Sequence, residues 1–393
     1  MKTNILTSIH NKTDDAISEC ISKANINSPE LILTYTTEQH DLSVIQSRLK
    51  EKFPHAQIAG STTCLGVMTN QGSISDNAHS CAVILFECSE GEELGVGIQE
   101  YGQNTEAAKL ALTESRNKMA EDPKFIWFIS TPGPEEESIF EIEKSFEQHI
   151  PIYGGSAADN SISGNWKIYK EDKVISDGLL LISFYSKSSQ SPKSTFSSAY
   201  NPTGTFGIIT KASKRRIEEI DHKPAMSVYN QWAETDLTTK DDDLNILANS
   251  TLFPLGRELT DASNDPFFVL SHPESTSKDG SMAIFTDINV GDKVHLLSGT
   301  SRMLKNSVAT MLKEYMRENM ISLDSISSVL IVYCAGCMLE IEEEGINSMT
   351  ERINAVLENV PYIGVFTFGE QGSYLTKKNL HGNLMFSATF IYK

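Results

Sequence analysis

The sequence predicts an α/β protein of repeated strand–helix–strand units with mixed sheets, arranged as two domains, 1–240 and 241–393. Three observations carry this. One order of elements, running strand, helix, strand, glycine turn and closing strand, recurs three times along the chain. The closing strands, at 81–86, 179–184 and 384–391, are rich in apolar residues, and the first two open as unbroken apolar runs, as strands covered on both faces do. At 393 residues the chain is also too long for one ordinary core.

The elements follow in order. A strand over 4–9 precedes a helix over 13–24, and 31–36 is the next strand. Leu42, Ile45 and Leu49 then mark one face of a helix. Residues 56–58 lead into Ile58-Ala59-Gly60-Ser61-Thr62, and 81–86 closes the unit. The second copy has a strand at 125–130, a breaker at Pro132-Gly133-Pro134, and Glu135, Glu136 and Glu137 at a helix N-terminus, where carboxylates meet the positive end of the dipole. It continues through Tyr153-Gly154-Gly155-Ser156 to Asp159 and closes at 179–184. The third runs from a strand at 329–333 through a helix lined by Ile346, Met349, Ile353 and Leu357. It then enters Ile363-Gly364-Val365-Phe366-Thr367-Phe368-Gly369-Glu370.

Different material separates the second and third copies. The serine-rich stretch 186–198 reads as a linker or exposed loop. A hairpin (206–210 and 217–220) precedes a helix begun by Pro224. Residues 239–243 are a charged turn, with the domain boundary near 235–248. Strands at 267–270 and 282–286 are joined through Lys278-Asp279-Gly280. A strand at 293–297 and a helix at 302–317 follow.

A formal charge of −19 opposes binding to nucleic acid and to anionic membrane surfaces. No secretory leader opens the chain and no stretch reaches the roughly 20 apolar residues of a membrane span, so a cytoplasmic protein is expected, without membrane insertion. Its six cysteines then read as reduced thiols.

One glycine turn alone is most simply tight packing at a strand end. Three, each at a carboxyl end where open α/β sheets gather ligands, point to a shared pocket. Its expected lining is Gly60, Ser61, Thr62, Gly154, Gly155, Ser156, Asp159, Thr367, Gly369 and Glu370. None of the turns has the layout of a dinucleotide site.

These motifs, taken in order, resemble the FIST sensory domain family. Ile58-Ala59-Gly60-Ser61-Thr62, Tyr153-Gly154-Gly155-Ser156-Ala157-Ala158-Asp159 and Lys223-Pro224-Ala225 are similar to its N-terminal part. Phe253-Pro254-Leu255-Gly256, Asp279-Gly280-Ser281-Met282, Tyr333-Cys334-Ala335-Gly336 and Phe368-Gly369-Glu370 are similar to its C-terminal part. The resemblance implies a small-ligand sensor in signal transduction, acting on a histidine kinase or a cyclic-di-GMP enzyme. A chain with no output domain is similar to the nitric-oxide-sensing haem proteins of the family (NosP type), which implies haem b as cofactor and nitric oxide as its ligand. Two departures stand out: Leu65-Gly66-Val67 lacks the carboxylate common there, and Cys337 stands where arginine is common.

A haem needs one axial histidine, and His222 and His295 rank ahead of His10, His40 and His272. Cys334-Ala335-Gly336-Cys337 offers half a metal site or a redox dithiol, against the simpler reading of buried thiols. With no GxSxG elbow and no HExxH, the chain is not expected to be an enzyme. The rival readings are an enzyme using the Cys334/Cys337 dithiol or Glu370, and an interaction module without a ligand. The acidic run Glu342-Glu343-Glu344 reads as a solvated helix start.

Overall fold

Three α/β units follow one another, each with the same succession of elements. The first has an edge strand Lys2–Ser8, a helix Thr13–Ser22, an inner strand Leu31–Thr36, a helix Leu42–Lys52, a glycine strand Gln57–Thr62, a hairpin (Val67–Thr69, Gly72–Ile74) and a closing strand Cys81–Glu87. The second repeats it with Glu92–Glu100, Ala107–Ser115, Phe125–Ser130, Glu135–Glu143, Ile152–Ser156, the hairpin Ile168–Lys170 and Lys173–Ile175, and Gly178–Ser186. The third has Lys193–Ser198, Ser301–Glu318, Ile326–Cys334, Ala335–Leu357, Tyr362–Thr367, the hairpin Gly369–Tyr374 and Lys378–Gly382, and Met385–Tyr392. This computed structural model describes residues 1–75, 78–102, 106–116, 121–188, 193–240, 243–260, 266–374 and 378–393.

Each unit forms one sheet in the order edge, closing, inner, glycine, with the inner and glycine strands parallel and the other pairs antiparallel. A hairpin from another unit completes it. The second unit's hairpin joins the first sheet, the third unit's joins the second, and the first unit's joins the third. The exchange is cyclic, so a cut at 240/241 passes through chain whose two sides share sheets. The inner faces of the three sheets meet in one apolar cluster that includes Tyr35, Trp127, Tyr153, Val332 and Val365. At its heart the Trp127 indole N–H donates to the Tyr35 hydroxyl at 2.9 Å. Each such large side chain contributes about 1.5–3 kcal/mol by leaving water. The helices cover the outer faces.

Within the third unit, between its edge strand and its first helix, residues 201–298 form a nine-stranded antiparallel sheet with the helix Ala225–Ala233. Helix Ser301–Glu318 is capped by Thr300, whose hydroxyl accepts from the Met303 N–H. Among the described residues no helix is long and apolar enough to cross a membrane, which says nothing about strands that might do so in a barrel.

Several expectations need correction. The stretch 186–198 is not all linker: Lys193–Ser198 is a strand paired with Met385–Tyr392, and Phe196 fills the space left by Gly372, whose Cβ would lie 2.3 Å from its ring. Residues 189–192 lie outside the described residues, as do 241–242 of the 239–243 turn. The Lys278-Asp279-Gly280 turn joins Pro273–Thr276 to Met282–Ile284, while Pro266–Ser271 pairs with Leu255–Thr260. The strand Glu92–Glu100 and helix Ala107–Ser115 escape the apolar pattern because small residues make their contact. At Gly95 and Gly97 an added Cβ would stand 1.8 and 1.9 Å from the carbonyls of Ser115 and Ala111, so only glycine admits the helix. The acidic run marks a break: Glu342, at φ 57 and ψ 179, separates two helical segments, and Glu343 and Glu344 open the second.

Candidate functional site

The parallel registers set Gly60, Gly154 and Gly364 at one equivalent position, opposite Thr34, Phe128 and Ile331. Two residues on, Thr62, Ser156 and Phe366 are equivalent, and their strand ends converge. The Ala158 N–H donates to the Thr62 carbonyl at 3.2 Å, that of Phe368 to Ser156 at 3.2 Å, and that of Cys64 to Phe366 at 3.1 Å. This ring of backbone hydrogen bonds passes once through each unit. The three glycine turns therefore do meet. Glycine is required there: a Cβ on Gly154, at φ +147, would stand 1.8 Å from the Phe128 carbonyl oxygen, and one on Gly155 would stand 2.5 Å from Thr367 Cγ2. Ser61, Ser156, Asp159 and Glu370 are all shut away from solvent, so the convergence is a closed hub.

Space opens beside the hub. A crevice of about 460 Å³ runs between the Glu38–Leu42 loop of the first unit and the hairpin that the second unit lends it, with Thr62 at its base and Asn165, Lys167 and Val174 on the far wall. Asp159 builds that wall. Its carboxylate accepts from the backbone N–H groups of Ser161, Ser163 and Asn165 at 2.7–3.1 Å, which fixes the loop leading to Lys167. Thr62 Oγ1 then accepts from the Lys167 N–H at 2.9 Å.

This crevice holds polar atoms without partners. Glu38 Oε2 and His40 Nε2 are buried with no hydrogen bond, and so is Thr36 Oγ1, on the strand position paired with Thr62. Burial, and next the charge of Asp159, raise the Glu38 carboxyl above its ordinary range. His40 is 4% exposed, and burial followed by its neighbour His79 pushes its imidazole down to about 4, so it is neutral at physiological pH. Buried polar atoms are normally satisfied by protein, water or ligand, and an orphan carries a cost of about 1–3 kcal/mol.

In the second unit the equivalent crevice is filled. His381 holds the hairpin position that Val174 holds in the first unit, and Ser156 stands for Thr62. Between them Glu135, 2% exposed, accepts from Ser156 Oγ at 2.9 Å and from Arg215 Nη2 at 2.8 Å. Arg215 comes from the nine-stranded sheet and also binds Glu136 and Asp287. Gln371 Nε2 joins Ser156 Oγ (3.3 Å) to His381 Nδ1 (2.9 Å). Glu135, Glu136 and His381 are close enough together to hold a metal ion, but the guanidinium already meets both carboxylates.

Glu370 lies nearer the third unit, wholly buried, accepting from Thr367 Oγ1 and the Met385 N–H, each at 3.0 Å. Burial first, then Cys334, pushes its carboxyl well above the usual range. Gly369 pairs with Ser156 across the sheet. Cys334 and Cys337 are 4% and 1% exposed, with Tyr200 against Cys337 at 3.5 Å, and burial raises the Cys334 thiol well above its ordinary value. His222 sits on an exposed corner at φ 61. The His295 ring is held between Phe206 and Phe268 at 5.4 and 5.0 Å, its Nε2 3.0 Å from Glu258. His222 thus lies on a solvent-facing turn, and the His295 ring is packed between aromatics.

Of the expected residues, then, Thr62 reaches open space, Asp159 shapes it, and the others build the hub or the filled neighbour. Glu38, Lys167 and Arg215 were missed, and His40 was ranked low. An acid in a strand-end loop or a basic residue beside a short strand gives no distinctive spacing.

Family models match most of the chain, the FIST N domain over residues 30–223 and the FIST C domain over 225–373. The chain belongs to the FIST family. FIST domains are sensory domains that bind small ligands in signalling proteins. No curated protein matches this FIST chain. Among solved structures it is similar to one described as "Cyanuric acid hydrolase: evolutionary innovation by structural concatenation", at 8% identity and a TM-score of 0.35, covering 100% of this chain and 99% of that one. It is also similar to the cyanuric acid hydrolase from A. caulinodans, at 9% identity, a TM-score of 0.35 and the same coverage. These are enzymes, so the expectation that this FIST protein is not one is withdrawn.

Proposed function

We propose that this FIST protein is a sensor whose small ligand enters the crevice beside Thr62. The observation that supports this is the coincidence of open volume with unpartnered buried atoms, Glu38 Oε2 and His40 Nε2, at the carboxyl end of a parallel strand pair. The crevice wall belongs to the second unit and its base to the first. A ligand touching both favours one arrangement of the units over others, which is what a sensor requires. A histidine kinase or a cyclic-di-GMP enzyme is the class of partner that would read the change.

The test is a screen of small molecules by thermal unfolding, with Val174→Trp as the blocked form. Val174 is 42% exposed, so the bulkier ring fills the crevice without disturbing the core. A ligand at a hundredfold excess over its Kd adds about 2.7 kcal/mol to the wild-type protein. That gain is expected to vanish in Val174→Trp, and a ligand that stabilises both forms equally would remove the crevice from consideration. The haem version, with His222 or His295 as axial ligand, is tested by the absorption spectrum of protein expressed with haem supply. A Soret band lost on substituting either histidine would establish it.

A further inference from the structure

We infer that the ligand of the Thr62 crevice carries a compact organic cation, a guanidinium or primary ammonium group, and that Glu38 is its principal contact. This rests on the reading of the crevice as the sensor's ligand site. The chain supplies its own template. In the second unit the corresponding space is taken by the Arg215 guanidinium, which meets the buried Glu135 carboxylate at 2.8 Å. The first unit has the same strand-end geometry and a carboxylate in the same loop region, but among the described residues no arginine pairs with it. Glu38 Oε2 is left without a partner.

The unsatisfied atoms ask for donors. A carboxylate oxygen accepts only. The neutral His40 ring accepts at Nε2 in the tautomer whose Nδ1–H donates to Thr13 Oγ1, 3.3 Å away. An ammonium offers three N–H groups and a guanidinium five, so one such group can satisfy several orphans at once. A carboxylate ligand does the reverse. It would pair with Lys167 but leave Glu38 unanswered and add a second negative charge near Asp159, the neighbour that already raises the Glu38 carboxyl.

Lys167 gives the experiment its sign. It lines the same crevice and has no ion-pair partner among the described residues, so it repels a cation and attracts an acid. Binding is measured by titration calorimetry of the full chain with agmatine and butylamine in one arm and butyrate and glycolate in the other. The expected result is saturable binding of the amines, weakened at least tenfold by Glu38→Gln and abolished by Val174→Trp. Lys167→Ala is expected to tighten it severalfold. Glu38 is half-buried on a loop, and circular dichroism checks that its variant folds. If butyrate or glycolate binds instead and Lys167→Ala weakens it, the crevice stands as a ligand site and the cation is overturned. If the amines bind equally well to Val174→Trp, or none of the four binds, the inference falls. A screening hit that ignores the Val174 substitution would separately remove the crevice reading.

Discussion

The crevice beside Thr62 and the one beside Ser156 occupy the same place in two units of one chain, yet they are finished in opposite ways. In the second unit Arg215, Gln371 and His381 fill the space, and Arg215 and Ser156 answer the buried Glu135 carboxylate. In the first, Glu38 and His40 line about 460 Å³ of open volume and keep buried atoms that are unanswered. The backbones beneath are alike, with a glycine on the same step of each parallel strand pair and the same inter-unit hydrogen bond above it. Strand ends therefore make the location. Side chains arriving from other parts of the chain decide whether it becomes a structural joint or a place for something external.

That contrast can be broken most forcefully at Arg215. Arg215→Met strips the cation from a carboxylate that is 2% exposed and is expected to cost about 3–5 kcal/mol, read from the urea unfolding midpoint. A loss below 1 kcal/mol would mean that the filled crevice is no joint. Acid is the next lever. His272 and His40 are both pushed down to about 4 by burial, below the ordinary 6.5 of the unfolded chain. Between those values the unfolded state binds more protons, so stability is whole above about pH 6.5 and drains as pH falls toward 4. For the fully buried His272 the loss is on the order of 3 kcal/mol. His272→Gln should flatten that part of the pH profile of thermal unfolding.

The shared backbone is probed by paired substitutions. Gly154→Ala and Gly60→Ala should each cost about 1–3 kcal/mol whatever fills the crevice above. Gly154 should cost more, because its Cβ meets a backbone carbonyl at 1.8 Å, whereas that of Gly60 first meets the Thr34 hydroxyl at 2.3 Å. The smallest effect is expected at Glu370. Since burial pushes that carboxyl well above the usual range, the neutral Glu370→Gln is expected to be tolerated: Met385 can still donate to the amide oxygen, and the Thr367 hydroxyl can turn to accept from the amide nitrogen. Its thermal midpoint at pH 7 should stay close to wild type, and a large drop would show that Glu370 is ionised.

The glycine turns were legible in the sequence because a close approach leaves few alternatives to Gly60 and Gly154. Their convergence was legible as well, since each ends a strand of a repeating unit. The strand Glu92–Glu100 was not, because Gly95 and Gly97 pack a helix without an apolar stripe. Nor was the exchange of hairpins: Val67–Thr69 reads as an ordinary short strand, and nothing local says that its partner is Tyr362–Thr367. The open crevice was hidden for the same reason. Glu38 and Lys167 are brought together only by a hairpin lent from one unit to the next, and Arg215 reaches Glu135 from a sheet inserted far along the chain.

The cyclic loan of hairpins has a consequence for how the molecule is made. The first unit's own hairpin has no sheet to join until Tyr362–Thr367 has been synthesised, and the second sheet waits for Lys378–Gly382. While the chain leaves the ribosome, two of its three sheets keep unpaired borders until those strands have been made. Closure then comes late and all at once, so chaperone occupancy during translation should persist until the C-terminal strand emerges. A shortened transcript ending before residue 360 should yield a sticky, protease-sensitive product rather than a smaller working sensor.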